Sequence, residues 1–208
     1  MFGKIALFEL RYQLRNPVFW VAAVIFFLLT YGAMASDDIT IGGMARLASL
    51  IETRRTQASK KGPVLVLDGG DFSMGTLFHT VSRQTGIELQ LLAAMGYDAV
   101  AVGNHEFDFK PQGFASMIEA ALSHTQNLPE LLMSNVRFDH NAPEDDELQA
   151  YMEAGILTRE VVIEKGGIRF GLIGLMGTDA AEVAKDIAPL TFDKGTETAH
   201  RISHLLKT

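Results

Sequence analysis

Gly103-Asn104-His105-Glu106 stands directly after an apolar run, Ala99 to Val102. Asn and His side by side at a strand end, released by a glycine, put an amide ligand and a proton donor at one spot. Upstream, Asp68-Gly69-Gly70-Asp71 follows a second apolar run, Val64 to Leu67. Hydrolysis of a phosphate ester by two metal ions needs a carboxylate that bridges them and hard or borderline ligands for each. It also needs a cation or proton donor near the leaving oxygen. Asp71 suits the bridge, because two glycines before it let the backbone turn sharply. Asn104 can offer its amide oxygen. His105 can give a proton or hydrogen bond to the phosphoryl group or the departing alkoxide. Glu106 is expected to orient that imidazole. Asp68 reads as a strand-end turn residue, and His79, among Leu77, Phe78 and Val81, as structural. His124 and His140 read as solvated loop residues.

These loops need elements that hold them. Met44 to Gln57 alternates apolar and charged residues at helical spacing. Val64 to Leu67 and Ala99 to Val102 are short continuous apolar runs, as expected of strands buried on both faces. Between them Thr76 to Met95 reads as mainly helical, broken near Gly86 and stopped by Gly96. Pro111 to Ser123 predicts a helix, and Leu131 to Val136 a third strand. Val161 to Glu164 and Arg169 to Ile173 flank a Lys165-Gly166-Gly167 hairpin signal. Thr178 to Lys185 and Gly195 to Leu206 predict further helices. Glu144 to Glu147 reads as a solvated acidic loop, since it lacks the spacing and turn glycine of a calcium loop. The alternation predicts an α/β domain with a mixed β-sheet and flanking helices. Functional groups gather at the carboxyl ends of such strands, so Asp71 and Asn104 are expected to meet.

The net charge of −7 argues against nucleic acid as a partner. The absence of Cys excludes disulfides, thiolate zinc sites and Cys nucleophiles, and leaves the redox compartment open. Val18 to Ala35 is a run of 18 uncharged, mostly apolar residues, just sufficient to span a hydrocarbon core. Lys4, Arg11 and Arg15 precede it and Asp37 and Asp38 follow. Phe2 to Arg15 reads as an interfacial amphipathic helix. The run reads as an uncleaved span, as a signal cleaved after Ala33-Met34-Ala35, or as a buried core helix. The first two readings send the rest of the chain out of the cytoplasm. The division expected is 1–41 for this N-terminal apolar helix and 42–208 for the α/β domain.

Val64 to Asp71, followed by Gly96-Tyr-Asp-Ala-Val-Ala-Val-Gly-Asn-His-Glu-Phe-Asp108, resembles the calcineurin-like metallophosphoesterases. Within them it is similar to the 5′-nucleotidase and cyclic-nucleotide phosphodiesterase branch. Gly42 to Ala48, Ser134-Asn-Val136 and Gly167 to Gly174 fit the same branch, so the resemblance covers about 42–208. It implies a partial metallophosphoesterase sandwich and two divalent metal ions (Zn, Mn, Mg, Co or Ca). It further implies a nucleotide substrate, Asp71 as the bridging ligand, Asn104 as a ligand of one ion, and His105 serving the phosphoryl group.

The resemblance also implies an Asp-x-His pair ahead of Gly42 and a later Gly-His-x-His. Asp37 and Asp38 have Ile39 and Thr40 at the second position after them, and no Gly-His-x-His occurs. His200 and His204, four residues apart on a predicted helix, read as a solvated face. Loss of the first strand, central in the family's sheet, predicts an exposed strand edge. Met1 to Trp20 is similar to the first transmembrane helix of ABC-type permease subunits, which implies a membrane partner. Two function classes stay open. One is a metal-dependent phosphoester hydrolase acting on nucleotides outside the cytoplasm. The other is a non-catalytic, membrane-tethered or permease-derived chain carrying half a metal site.

Overall fold

The computed structural model of the chain describes residues 43–74, 77–184 and 186–205. The expected amphipathic helix, membrane span or signal, and permease-like segment lie outside the described residues. Among the described residues no helix is long and apolar enough to cross a membrane. Met44–Thr208 forms one compact unit.

Helix α1, Met44–Ala58, carries the apolar stripe read from the sequence and packs Met44, Ala48 and Ile51 against the core. Strand β1, Leu67–Asp68, is followed by a 3-10 turn at Leu77–Thr80 and by helices α2, Ser82–Thr85, and α3, Ile87–Ala94. Gly86 separates α2 from α3 in the left-handed region at φ 56°. Strand β2, Ala99–Ala101, leads through a 3-10 turn at His105–Phe107 into α4, Lys110–His124. Strands β3, Glu130–Leu132, and β4, Val136–Arg137, precede α5, Asp146–Glu153. Then come β5, Leu157–Thr158, β6, Glu160–Lys165, and β7, Ile168–Ile173. Helix α6, Thr178–Val183, strand β8, Thr191–Phe192, and helix α7, Gly195–Leu205, complete the described chain.

The principal sheet is parallel, in the order β1-β2-β3-β5. Its register pairs Asp68 with Val100, Val100 with Leu131 and Leu131 with Leu157. Val100, Leu131 and Leu157 are fully buried, as are Leu89 of α3 and Phe114 and Ile118 of α4. A parallel sheet covered by helices requires such continuous apolar strands. Its carboxyl end carries both loops singled out above.

The expected single mixed sheet is not formed. β6 and β7 pair only with each other as an antiparallel hairpin, and β4 pairs antiparallel with β8. The expected strand over Leu131 to Val136 divides, and polar side chains explain why. Ser134 Oγ donates to the carbonyl of Arg159 and accepts from Gly174 N–H. The Asn135 amide donates to the carbonyls of Met176 and Asp193 and accepts from Met176 N–H. These bonds pull the chain out of the ladder. The expected strand from Val64 likewise starts only at Leu67. Val66 N–H goes to the Asp98 carboxylate and the Val64 carbonyl accepts from Lys165 Nζ, so side chains take two ladder positions there, while the Val66 carbonyl still accepts Asp98 N–H.

Two further expectations are corrected. The acidic run is not a solvated loop throughout. Asp145 is buried and accepts Asp139 N–H, while Asp146 and Glu147 open α5, where acidic side chains favour the positive end of a helix. His124 closes α4 rather than lying in a loop. The exposed edge is present: β1 ends the sheet among the described residues, and Leu67 is 50% exposed.

Candidate active site

Asp68 Oδ1 accepts Gly70 N–H at 2.9 Å, the turn expected of it. Gly70 then takes φ 97° and Asp71 takes φ 61°. A carboxylate residue in the left-handed region is uncommon and marks a backbone held in place by its surroundings. The reason is the neighbouring loop. A methyl group on Gly70 would stand 2.7 Å from Gly103 N, and one on Gly103 would stand 2.6 Å from Asp71 N. The two loops touch through their glycines, and no side chain fits at either position.

Glu106 locks this contact. It is 1% exposed, and its carboxylate accepts the backbone N–H groups of Gly103 at 2.7 Å, Asp71 at 2.9 Å and Ser73 at 3.1 Å. Burial raises the Glu106 carboxyl above its ordinary range, opposed by these three donors and abetted by the Asp71 charge. The expectation that Glu106 orients His105 is therefore corrected: its oxygens are spent on the backbone.

The imidazole is held by Asp108 instead. His105 Nδ1 lies 3.1 and 3.2 Å from the two Asp108 oxygens. The reason is local. Asp108 N–H bonds to the His105 carbonyl at the end of the 3-10 turn. Residues three apart eclipse one another in that geometry, whereas the adjacent Glu106 points elsewhere. Asp108 raises the His105 pKa, against a smaller opposing effect of burial; the charges of Asp71 and Glu106 add to the rise. With Nδ1 facing a carboxylate, Nε2 is the nitrogen left to face a substrate.

His79 packs against this cluster. Its Nδ1 faces the Ser73 carbonyl and its Nε2 lies 3.6 Å from Asp108 Oδ2. Its ring stacks on Phe109, over which Arg83 also sits. Neither Asp108 nor His79 stood out in sequence. The i, i+3 spacing of His105 and Asp108 was the available signal for the first; nothing local signals the second.

The loops that carry Asp71 and Asn104 meet at the carboxyl end of the sheet, as expected. One oxygen of Asp71 accepts His105 N–H at 3.0 Å, and the other has no hydrogen bond among the described residues. A carboxylate and a carboxamide are suitable oxygen donors for a hard or borderline divalent ion. They are fewer than a shell, and no group of three or more His, Asp and Glu side chains converges for a metal among the described residues. The donors present fit part of a dinuclear centre and do not fit a whole one.

No family model matches the chain. A mouse 5′-nucleotidase is 30% identical over 168 residues, 76% of this chain and 26% of that protein. A bovine 5′-nucleotidase is 39% identical over 98 residues, 47% of this chain and 15% of that protein. Among solved structures, a 5′-nucleotidase precursor from Thermus thermophilus superposes with TM-score 0.63 at 29% identity. It covers 80% of this chain and 29% of its own. The chain is homologous to the 5′-nucleotidases. A calcineurin-like phosphoesterase from Bacillus subtilis shares the fold, with TM-score 0.59 at 20% identity. The chain spans about a quarter or less of the curated 5′-nucleotidases it matches.

Proposed function

We propose that residues 44–208 of this 5′-nucleotidase homologue handle the phosphoryl group of a nucleotide phosphate ester. In this reading Asp71 and Asn104 would be the residues that hold divalent ions. The observation that carries it is the Asp71–His105–Asp108 arrangement, which joins a candidate ligand to an oriented imidazole. Two divalent ions would supply an activated water and neutralise phosphoryl charge. The donors present do not complete that centre. What the chain's own residues do is clearer. Asp108 keeps the proton on His105 Nδ1 and favours the imidazolium. Nε2 can then donate to a phosphoryl oxygen or to the departing alkoxide. Glu106 holds the two loops in register while this happens.

The short donor set favours a second reading, in which the 208-residue chain by itself is a non-catalytic, membrane-tethered protein. For either reading we place the domain outside the cytoplasm, tethered through residues 1–41; the support is the uncharged run Val18 to Ala35 behind a basic flank. The chain expressed with manganese or zinc is assayed for bound metal and for phosphate release from a nucleoside monophosphate. Less than one ion per chain and negligible turnover are expected. Two ions per chain, with turnover abolished by Asn104→Ala, would establish a complete enzyme and overturn the partial-centre reading.

A further inference from the structure

A second place at the carboxyl end of the same sheet has the chemistry of a ligand site. It lies beyond β3 and β5, whereas the Asp71–His105 cluster lies beyond β1 and β2. A cleft of about 370 Å³ opens there between β4, the start of β6, the segment after β8 and helix α7. Arg137, Arg159 and Arg201 line it, with Asp193 and Glu160 as its acidic residues. In a chain of net charge −7, three guanidiniums at one cleft are a local reversal of sign.

The acidic residues do not balance it. Asp193 is shared: it pairs with Arg137 and lies 3.9 Å from Arg201. Arg159 is half-buried and has no carboxylate partner among the described residues. One nitrogen of its guanidinium donates to the carbonyls of Ser134 at 3.1 Å and Val136 at 2.9 Å, which fixes the group at the cleft wall. Burial, and then the positive charges of Arg201 and Arg137, lower the Arg159 pKa, and the carboxylates of Glu160 and Asp193 offset this only in part. Guanidinium geometry matches the paired oxygens of phosphate and carboxylate groups. The volume also suffices, since a water molecule's share of liquid is ~30 Å³. A second cleft of about 520 Å³ shares Arg137 and Arg159 and adds Phe138 and Met152, room for an apolar body beside an anionic head.

We propose that the Arg137–Arg159–Arg201 cleft binds a small oxyanion, the phosphoryl or carboxylate group of a ligand. The site is separate from Asp71 and His105 and does not depend on the function proposed for them. The test is calorimetric titration of the whole chain in chloride buffer at constant ionic strength, with inorganic phosphate and with citrate. Saturable binding of at least one is expected, and the tighter of the two identifies the head group. Arg201→Gln, an exposed helical position, should weaken it about tenfold, and so should Arg159→Gln. Because Arg159 also holds two carbonyls, Arg201→Gln keeps the test decisive should Arg159→Gln unfold the chain. The proposal is overturned by the absence of saturable binding of either anion. Binding that survives Arg201→Gln undiminished, or that is abolished by His105→Ala, overturns it equally.

Discussion

The backbone N–H of His105 donates to Asp71 Oδ1 at 3.0 Å, so the candidate metal carboxylate and the candidate phosphoryl-facing histidine are one mechanical unit. Replacement of Asp71 by Asn keeps an oxygen acceptor for that bond and removes the charge. Asn also tolerates the left-handed backbone that Asp71 occupies. The variant should therefore fold with a stability within about 1 kcal/mol of the parent, while manganese binding falls by at least tenfold. Urea unfolding and metal titration on the same preparation check this. A large loss of stability with metal binding intact would contradict the ligand assignment.

Glu106 is the residue whose loss should damage the fold most. Glu106→Ala strands three N–H donors, a buried one on Ser73 and part-buried ones on Gly103 and Asp71. The expected cost is about 3 kcal/mol or more, because bonds to a charged acceptor are worth ~1.5–3 kcal/mol each and buried donors left unmade are penalised. Glu106→Gln, which retains one acceptor oxygen, should cost less. The midpoint of urea unfolding measures both; equal midpoints for Ala and parent would refute the locking role.

Asp108, not Glu106, is expected to set the basicity of His105. The folded-state pKa of His105 is raised, so the stability this contributes is fully present below the unfolded value near 6.5. It is lost as pH rises through the folded value. Asp108→Asn should move the His105 ring-proton titration toward lower pH in an NMR pH series. An unshifted titration curve in Asp108→Asn would return the orienting role to another group.

Glu88 supplies a pH effect remote from the site. It is 2% exposed and neither carboxyl oxygen has a hydrogen-bond partner among the described residues. Burial raises its pKa above 4.5, against smaller opposing contributions from its own backbone and from His79. A raised carboxyl binds its proton more tightly in the folded state. Stability is therefore higher below the unfolded pKa and is lost as pH rises through the folded one. Glu88→Met removes the buried charge and should raise the melting temperature at pH 7, by the equivalent of ~1–3 kcal/mol. The gain should shrink as the pH is brought to 4. A gain independent of pH would show that packing, not ionisation, was responsible.

Much of the site was readable before any fold was known. Asn104 and His105 follow an apolar run that is a buried strand, and Asp71 follows one that is a strand only at its end, at the sheet edge; short glycine-rich turns after such runs leave little choice of location. The hairpin around Gly166 and the helices α1, α4 and α7 followed from periodicity and turn chemistry in the same way. What could not be read there were relations between segments far apart in sequence. Ser134 and Asn135 broke an apparent strand because their partners, Arg159, Gly174, Met176 and Asp193, lie 25 to 58 residues away. Glu106 and Asp108 are both acids beside a histidine, and composition does not say which one turns toward it. The 3-10 geometry and the buried N–H groups of the neighbouring loop decided that. The sequence alone determined which side chains are the candidates for the chemistry and that strand ends present them. Tertiary structure decided which carboxylate supports the backbone and which supports the imidazole, because hydrogen-bond satisfaction in a buried loop depends on where its neighbour's N–H groups lie.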